Sequence, residues 1–267
     1  MAHLDVFVPH HVKYQREALE HLGTHRSVHL SERERERIHA TIRMIPADTR
    51  SVLDVGCGDG RLFHRLPPGI KAVALDFSYA SVRNVKGSAV CAASVSLPFA
   101  DRSFDLVLCC ETIEHLPGEV FQRTLDELAR VSRRSILISV PFKENLRLHL
   151  TRCLDCGVIF HVWGHCRRFT SRQLDELLPL FNATKTAYVG KRDPYQLGIV
   201  AGLNQKIGKR WADWEKTTMC PECGSKTGGE APRNVVTIAC GVVNRISSRF
   251  VPTWRRNWIL KLYERRR

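Results

Sequence analysis

The sequence predicts an α/β protein with a doubly wound, mostly parallel, Rossmann-like sheet, and three observations support this prediction. Short apolar segments alternate with helix-patterned segments over residues 51–190. This alternation is typical of βαβ units, in which helices cover both faces of a parallel sheet. The first apolar segment runs directly into a glycine-rich turn. With 43% hydrophobic residues, a chain of 267 residues is also long enough to bury a large core without disulfides.

The elements follow one another in a regular order. A first helix is expected from Ser31, because Ser31 and Glu34 have the spacing of a capping box and Pro46 ends the apolar periodicity. The segments predicted as strands are SVLDV, KAVALD, SAVCAA, SFDLVLCC, RSILISVPF and TKTAYVG. The segments predicted as helices between them are RLFHRLP, SYASVRNVK, EVFQRTLDELARVS and TSRQLDELLPLF, the last with Thr170 as its N-cap.

Composition divides the rest of the chain into further regions. Residues 1–50 are expected to form an N-terminal helical segment, and two cysteine-rich segments lie at 151–169 and 191–232. Residues 233–267 form a basic tail in which Trp254, Trp258 and Tyr263 alternate with Arg and Lys. This composition predicts an amphipathic helix, which either lies on an anionic membrane or docks on the α/β domain.

The charge is uneven along the chain. The whole sequence has 41 Lys and Arg against 27 Asp and Glu, and the last 77 residues hold 16 of the basic residues but only 6 of the acidic ones. The C-terminal part is therefore expected to meet an anionic partner, either phospholipid or nucleic acid. A basic surface that only keeps the protein in solution is the alternative.

Nothing in the sequence indicates export. The first residues lack the basic start and apolar run of a secretory signal, and no segment reaches the roughly 18 apolar residues of a membrane span. Ten cysteines in such a chain favour thiols or a metal site over disulfides. The expected location is the cytoplasm, with peripheral attachment to the inner face of the membrane as a further expectation.

The turn DVGCGDG predicts a nucleoside-bearing cofactor. Gly56, Gly58 and Gly60 follow the first strand, and Asp76 ends the second strand, where a carboxylate binds the hydroxyls of a ribose. The third glycine comes one residue too early for a dinucleotide turn. Asp54 and Asp59 add negative charge, which disfavours a pyrophosphate and favours a cationic ligand.

These residues resemble the class I S-adenosylmethionine-dependent methyltransferases, in particular the type-11 branch. The resemblance covers about 51–181 and rests on VLDVGCGDG, ALDFS, LPFADRSFDLVLC and ETIEHLPG in that order. It implies S-adenosyl-L-methionine as cofactor. The residues implied to bind it are Asp54, Gly56, Cys57, Gly58, Gly60, Asp76, Phe77, Ser94 and Glu111. Ala93 stands where the family usually has an adenine-binding Asp, so adenine recognition is expected to use backbone groups near Ser94.

Catalytic candidates follow the fourth predicted strand. Glu111, Glu114 and His115 are expected beside the reacting methyl group, where an acceptor hydroxyl needs a base or a metal to take its proton. The Glu-x-x-Glu-His spacing also resembles the magnesium-binding segment of some O-methyltransferases, including RNA 2′-O-methyltransferases. A downstream histidine completes that site, and His165 has a similar position here. The alternative is that Glu114 only lines the pocket.

Two C-x-x-C-G segments predict a structural metal. Their cysteines are Cys153, Cys156, Cys220 and Cys223. Two such knuckles make a closed four-thiolate zinc site, with the glycine of each allowing a tight turn. In alternative schemes, His161, His165 or Cys166 completes a site on the first knuckle, or Cys153 and Cys156 form a redox pair.

The function expected from the sequence is S-adenosylmethionine-dependent O-methylation of a glycan, a lipid-linked molecule or a small molecule, with structural Zn2+. The lipid-linked and glycan acceptors rest on resemblance to bacterial relatives with a similar cysteine insertion. An RNA 2′-O-methyltransferase that uses Mg2+ is one alternative, and it would make nucleic acid the partner. A non-catalytic module that binds zinc and a nucleotide is the other.

Overall fold

The computed structural model describes residues 30–190, 198–214, 218–226, 234–250 and 257–267. The chain divides into two compact units. The first, here called the sheet unit, contains residues 27–142, 169–191 and 256–267. The second, here called the cysteine unit, contains residues 1–26, 143–168 and 192–255.

A seven-stranded sheet forms the centre of the sheet unit, in the order β3-β2-β1-β4-β5-β9-β8. Its strands are β1 Ser51–Val55, β2 Lys71–Asp76, β3 Ala89–Cys91, β4 Phe104–Cys110, β5 Ser132–Pro141, β8 Phe181–Val189 and β9 Trp258–Arg265. The first five run parallel to one another, whereas β9 is antiparallel to both β5 and β8. The order reverses between β1 and β4, which places a ligand crevice at their carboxyl ends. The predicted doubly wound, mostly parallel sheet is confirmed.

The described part of the sheet unit has four helices, the first before β1 and the others between later strands. They are α1 Glu32–Met44, α2 Tyr79–Val82, α3 Gly118–Val131 and α4 Ser171–Asp175. The predicted capping box of Ser31 with Glu34 is present before α1. The predicted N-cap Thr170 is confirmed before α4, where it also forms a capping box with Gln173. The segment expected as a helix after the glycine turn contains only a 3₁₀ turn, Phe63–Arg65. The predicted segment of residues 1–29 lies outside the described residues.

Apolar side chains cover both faces of the sheet. One core packs residues of α3 and α4, among them Leu125, Leu128 and Leu174, against the strands. The other packs Ile38 and Met44 of α1 against the opposite face. The central strands are buried on both faces, as expected of a parallel sheet covered by helices.

For the second half of the C-terminal tail, the prediction of an amphipathic helix is wrong. Residues 258–265 form β9, an interior strand between β5 and β8. Alternate side chains enter opposite cores: Ile259 and Tyr263 on one face, Leu260 and Leu262 on the other. This period of two matches a strand and not a helix. Two of the basic residues that suggested a membrane face are bonded within the fold: buried Lys261 pairs with Asp175, and Arg265 donates to the Ser132 carbonyl at 2.8 Å.

The cysteine unit has its own small elements. Two short antiparallel strands, β6 Leu150–Arg152 and β7 Ile159–His161, flank the first knuckle. Its helices are α5 Gly198–Lys206 and α6 Val235–Phe250, and a 3₁₀ turn covers Leu146–His149. The segment around Ala212 is tied to β6, because the Ala212 N–H donates to the Leu150 carbonyl at 2.9 Å and the Thr151 hydroxyl donates to the Ala212 carbonyl at 2.9 Å. In the described residues, the first half of the predicted tail is helical, as α6.

Among the described residues, no helix combines the length and the apolar character that crossing a membrane requires.

Candidate functional site

The glycine turn connects β1 to the crevice at the carboxyl ends of the parallel strands. All three of its glycines have positive φ: +76° at Gly56, +55° at Gly58 and +79° at Gly60. The Gly56 and Cys57 N–H groups both donate to the Leu75 carbonyl of β2, at 2.8 and 3.0 Å. A side chain on Gly56 would meet Oγ1 of Thr112 at 2.2 Å. The turn is therefore held tightly against both neighbouring strands and requires glycine.

Asp76 lies where the sequence predicts it, at the end of β2 and facing the turn. One carboxylate oxygen accepts from the Gly58 N–H at 2.9 Å, and the other accepts from the Ser78 N–H at 2.9 Å. The two backbone donors orient the carboxylate at the place where the sequence predicts that it binds ribose hydroxyls. Phe77, the next predicted residue, is half-buried beside it.

Asp54, in β1, provides the negative charge of the site. It is buried, and no described residue hydrogen-bonds to its Oδ2 atom. Burial, and then the charge of Asp76, raise the pKa of Asp54 to about 7, against a lowering by Arg37. A buried carboxylate without a donor is costly. A cationic ligand would relieve that cost, so this end of the crevice fits the sulfonium and ammonium groups of S-adenosylmethionine.

Glu111 comes directly after β4 with φ +54°, a left-handed conformation that is uncommon outside glycine. Its carboxylate is held from both sides. The Ser139 hydroxyl of β5 donates to Oε1 at 2.7 Å, and the Trp258 indole N–H of β9 donates to Oε2 at 2.6 Å. Strained backbone at a fixed carboxylate is typical of functional sites. The structure therefore places Glu111 at the carboxyl edge of the sheet with a defined orientation.

Trp258→Phe removes one of these two donors while preserving most of the ring's packing. We expect the free energy of unfolding to fall by roughly 1–2 kcal/mol, because a half-buried carboxylate oxygen loses a hydrogen bond. Urea unfolding measures the change, and Ser139→Ala should reproduce it. Trp214→Phe is the matched control, because the buried Trp214 indole nitrogen has no hydrogen-bond partner among the described residues. An unchanged stability in both Trp258→Phe and Ser139→Ala would argue against this anchoring role.

The remaining predicted residues of the sheet unit have distinct surroundings. Glu114 is fully buried and His115 is half-buried, both in the 3₁₀ turn Ile113–His115. The Ser94 hydroxyl lies 2.8 Å from the Thr124 hydroxyl of α3, which leaves its backbone as the predicted contact for adenine. His165 belongs to the cysteine unit. The magnesium site of Glu114, His115 and His165 stays a prediction.

The four predicted zinc ligands come together within the cysteine unit. One thiol atom from each of Cys153, Cys156, Cys220 and Cys223 lies within 4.8 Å of all the others. The Cys153–Cys223 and Cys156–Cys220 sulfur distances are both 3.6 Å. Sulfurs on a tetrahedral zinc at about 2.3 Å lie roughly 3.8 Å from one another, whereas a disulfide needs about 2.05 Å. All ten cysteines are free thiols, so the cluster fits a four-thiolate metal site.

The two knuckles have the same backbone geometry. Gly157 and Gly224 have φ of +76° and +72°, and their N–H groups donate to the carbonyls of Cys153 and Cys220 at 3.1 and 3.0 Å. Burial would raise the pKa of Cys153, but backbone N–H groups, from Cys156 first, hold it down to about 7. The first knuckle therefore favours the thiolate, which is the form that binds zinc, whereas burial raises the pKa of Cys220 in the second knuckle.

His161 and His165 do not join the cysteine cluster and instead surround Glu144. His165 Nδ1 lies 2.6 Å from Glu144 Oε2, and His161 Nε2 lies 3.5 Å from Oε1. His161 Nδ1 accepts from the N–H groups of Trp163 and His165, at 3.3 and 3.2 Å, so its proton is on Nε2. A metal at His161 Nε2 would need that position deprotonated. This arrangement favours a hydrogen-bonded network over a second metal site.

Burial and neighbouring groups shift the pKa values of Glu144 and His161. Burial would raise the pKa of Glu144, but the neighbouring His161 and His165 rings outweigh it and hold that pKa well below its usual range. Burial lowers the pKa of His161. Glu144 is therefore an ionised carboxylate near neutral pH, and His161 is neutral. Glu144 lies just after β5 and belongs to no motif, so it could not be predicted from the sequence.

Other partners of the site were also missed. Thr112 packs on Gly56, Ser139 donates to Glu111, and Trp258, which also donates to Glu111, was predicted to belong to an amphipathic tail helix. Ser139 and Trp258 reach Glu111 from β5 and β9, far along the chain, so no local motif connects them. The position of Ser139 at the carboxyl end of a predicted parallel strand was the one available signal.

Comparisons with known proteins agree with this site. Residues 53–138 match the family described as methyltransferase domain. An uncharacterized protein of Methanocaldococcus jannaschii is 33% identical over 99 residues, which are 36% of this chain and 42% of that protein. The chain thus matches less than half the length of that relative.

Two solved structures have similar folds. The N-methyltransferase NodS from Bradyrhizobium japonicum WM9, in complex with S-adenosyl-l-homocysteine, has a TM-score of 0.55 at 11% identity, covering 95% of this chain and 99% of that chain. A SAM-dependent methyltransferase from Archaeoglobus fulgidus has a TM-score of 0.50 at 17% identity, covering 86% of this chain and 91% of that chain. At these identities the likeness is one of fold.

Proposed function

We propose that this chain, which carries a class I S-adenosylmethionine-dependent methyltransferase domain, transfers a methyl group from that cofactor to an oxygen of a glycan, lipid-linked or small-molecule acceptor. One observation carries the proposal: the tight glycine turn places buried Asp54 and oriented Asp76 together at the switch point of the parallel sheet. When bound, S-adenosylmethionine supplies an electrophilic methyl group.

The residues of the crevice divide the work of binding. Asp76 accepts from the ribose hydroxyls, Asp54 provides the charge that balances a cation, and the backbone near Ser94 contacts the adenine. Gly56, Gly58 and Gly60 allow the chain to approach the ligand closely. Methyl transfer depends strongly on positioning, and a rigid turn held by Leu75 and Thr112 supports that.

Carboxylates at the carboxyl end of β4 support an oxygen acceptor. An acceptor hydroxyl must lose its proton, and a carboxylate held at a fixed place is able to take it. Glu111 is the proposed base, because Ser139 and Trp258 fix its carboxylate while it remains half-buried and not sealed in the core. His115, in the next turn of chain, is proposed to line the acceptor side, whereas Glu114 is fully buried.

A methyl-transfer assay into cell extract tests the proposal and identifies the acceptor. The full chain is incubated with S-adenosylmethionine labelled on the methyl group, and the extract is separated into lipid, RNA, protein and small molecules. Label in the lipid, glycan or small-molecule fraction supports the proposal, and Glu111→Gln should abolish it. Label confined to RNA would favour the nucleic-acid alternative. Absence of label in every fraction, although the cofactor binds, would favour a non-catalytic module.

Cofactor binding is expected to weaken in acid. The pKa of Asp54 is raised to about 7, and a cation binds its ionised form, so protons compete with the ligand below that pH. Calorimetric titration between about pH 8 and about pH 6 should show an affinity loss of up to tenfold per pH unit. Asp54→Asn should bind with an affinity that depends less on pH. Any pH dependence that remains in this variant measures the titration of the ligand itself. Equal slopes in the two proteins would contradict the role of Asp54.

We also propose that the four cysteines hold a structural zinc ion. Their sulfur separations and the paired knuckle turns fit a tetrahedral metal, and two of the four thiols are buried. Four thiolates leave no coordination position for a substrate. The proposed role of the metal is therefore to hold the two knuckles together, apart from the methyl transfer.

A further inference from the structure

Helix α6 is apolar on the face that it turns to solvent. Thr237 and Cys240 are buried, which identifies the face that packs on the cysteine unit. Its exposed large apolar residues are Val235, Ile238, Val242, Val243 and Ile246. A surface helix normally shows polar residues there, so the helix is apolar on both sides. Exposed apolar clusters of this kind mark binding sites for proteins or membranes.

Helix α5 continues the same character. It packs against α6, and the Asn234 amide before α6 donates to the Gly208 carbonyl after α5 at 2.9 Å. Val200 and Ala201 are buried, whereas Ile199, Leu203 and Ile207 are exposed, with 73% of the Ile199 surface accessible. We call the exposed apolar residues of 198–207 and 235–246 the α5–α6 apolar face.

The charges beside this face have one sign. Lys206, Lys209, Arg210 and Arg245 are all exposed. Within residues 198–214 and 234–250 the sequence contains one acidic residue, Asp213. Apolar side chains flanked by basic ones are the pattern of helices that lie in the interface of an anionic bilayer. α6 has 16 residues and about 24 Å of length, so it suits a position along the interface and not across the bilayer.

We propose that the α5–α6 apolar face binds the surface of an anionic lipid bilayer. The apolar residues enter the boundary between headgroups and acyl chains, and the basic residues contact the anionic headgroups. The sequence predicts an amphipathic helix over the whole tail of residues 233–267, whereas the proposed surface combines α5 with the 235–246 part of that tail and leaves out Trp258–Tyr263, which lie in β9. A bilayer fits better than an acidic protein groove because eight apolar residues on two helices are exposed. Each basic residue near an anionic bilayer raises the affinity of the protein for that bilayer by roughly fivefold.

Vesicle co-sedimentation of the full chain tests this proposal. The probes are vesicles of phosphatidylcholine alone and vesicles in which phosphatidylcholine is mixed with phosphatidylglycerol. We expect binding to the mixed vesicles, weakened by salt, and little binding to the neutral ones. Ile238→Ser with Val242→Ser and Ile246→Ser should reduce binding at least tenfold. Replacing Lys206, Lys209 and Arg210 by Gln should reduce it more at low salt than at high salt.

Matched controls make each outcome decisive. Val120→Ser with Leu180→Ser removes two exposed apolar side chains of the sheet unit and should bind vesicles as the unaltered chain does. Urea unfolding is measured for every variant, to show that the fold of the altered unit is retained. The proposal is overturned if the unaltered chain ignores mixed vesicles, or if the triple serine variant binds them equally well. It is also overturned if light scattering shows that this face joins two copies of the chain.

Discussion

Cys220→Ser is expected to remove zinc from the protein and to destabilise the cysteine unit by more than about 3 kcal/mol, because binding of a structural zinc is itself part of the folding free energy. Cys220 is fully buried and lies 3.6 Å from the Cys156 sulfur, so a hydroxyl there cannot replace a thiolate ligand. The zinc content, measured by mass spectrometry, should fall from one zinc per chain to nearly none. Urea unfolding should show early loss of the cysteine unit.

Cys91→Ser is the matched control for that experiment. Cys91 is an exposed thiol outside the four-cysteine cluster, and we expect both zinc content and stability to remain as in the unaltered chain. If Cys220→Ser retains its zinc, the pairing of the two knuckles is wrong. Zinc retained in Cys220→Ser but lost in Cys153→Ser would indicate a site confined to the first knuckle.

Gly56→Ala is expected to weaken S-adenosylmethionine binding by roughly ten- to a hundredfold, because it strains the binding turn by about 1–3 kcal/mol. The residue has φ +76°, and an added Cβ would lie 2.2 Å from Thr112 Oγ1 and 2.7 Å from its Cγ2. Either the turn or Thr112 must move. Calorimetric titration measures the loss.

Gly69→Ala separates this effect from backbone strain in general. Gly69 has φ +87°, but no atom lies within 4 Å of the position of an added Cβ. Its substitution should lower stability without a comparable loss of cofactor affinity. Adding Thr112→Ala to Gly56→Ala should restore part of the affinity, because it removes the two nearest atoms and leaves Cβ at 3.0 Å. Equal affinities in the Gly56 and Gly69 variants would contradict the proposed role of the turn.

Local patterns explain what could be predicted. The glycine turn, Asp76, the capping box at Ser31 and the N-cap at Thr170 depend on residues a few positions apart or on the length of one βαβ unit. Chain connectivity therefore fixes their geometry. The four-cysteine cluster spans 70 residues between Cys153 and Cys223. It was nevertheless predictable, because each half has the specific spacing of a metal knuckle.

The C-terminal segment shows why strand β9 and its contacts could not be predicted from the sequence. Aromatic residues mixed with Arg and Lys are typical of a membrane helix, but they also occur in an interior strand whose cations find partners elsewhere in the fold. Lys261 pairs with Asp175, and Arg265 bonds to carbonyls near the end of α3. These partners are 86 or more positions away. Ser139 and Trp258, the two side chains that donate to Glu111, are brought to it by the same long-range pairing of β5 with β9. Trp258 lies in this C-terminal segment.

Calorimetric titration of the full chain with S-adenosylmethionine tests the central claim most directly, since every proposed role in the crevice depends on that cofactor. We predict binding at a single site, competed by S-adenosylhomocysteine and lost or strongly weakened in Gly56→Ala and Asp76→Ala. Nicotinamide adenine dinucleotide should not compete, because the turn is short and acidic. Absence of S-adenosylmethionine binding, or preferential binding of the dinucleotide, would contradict the account.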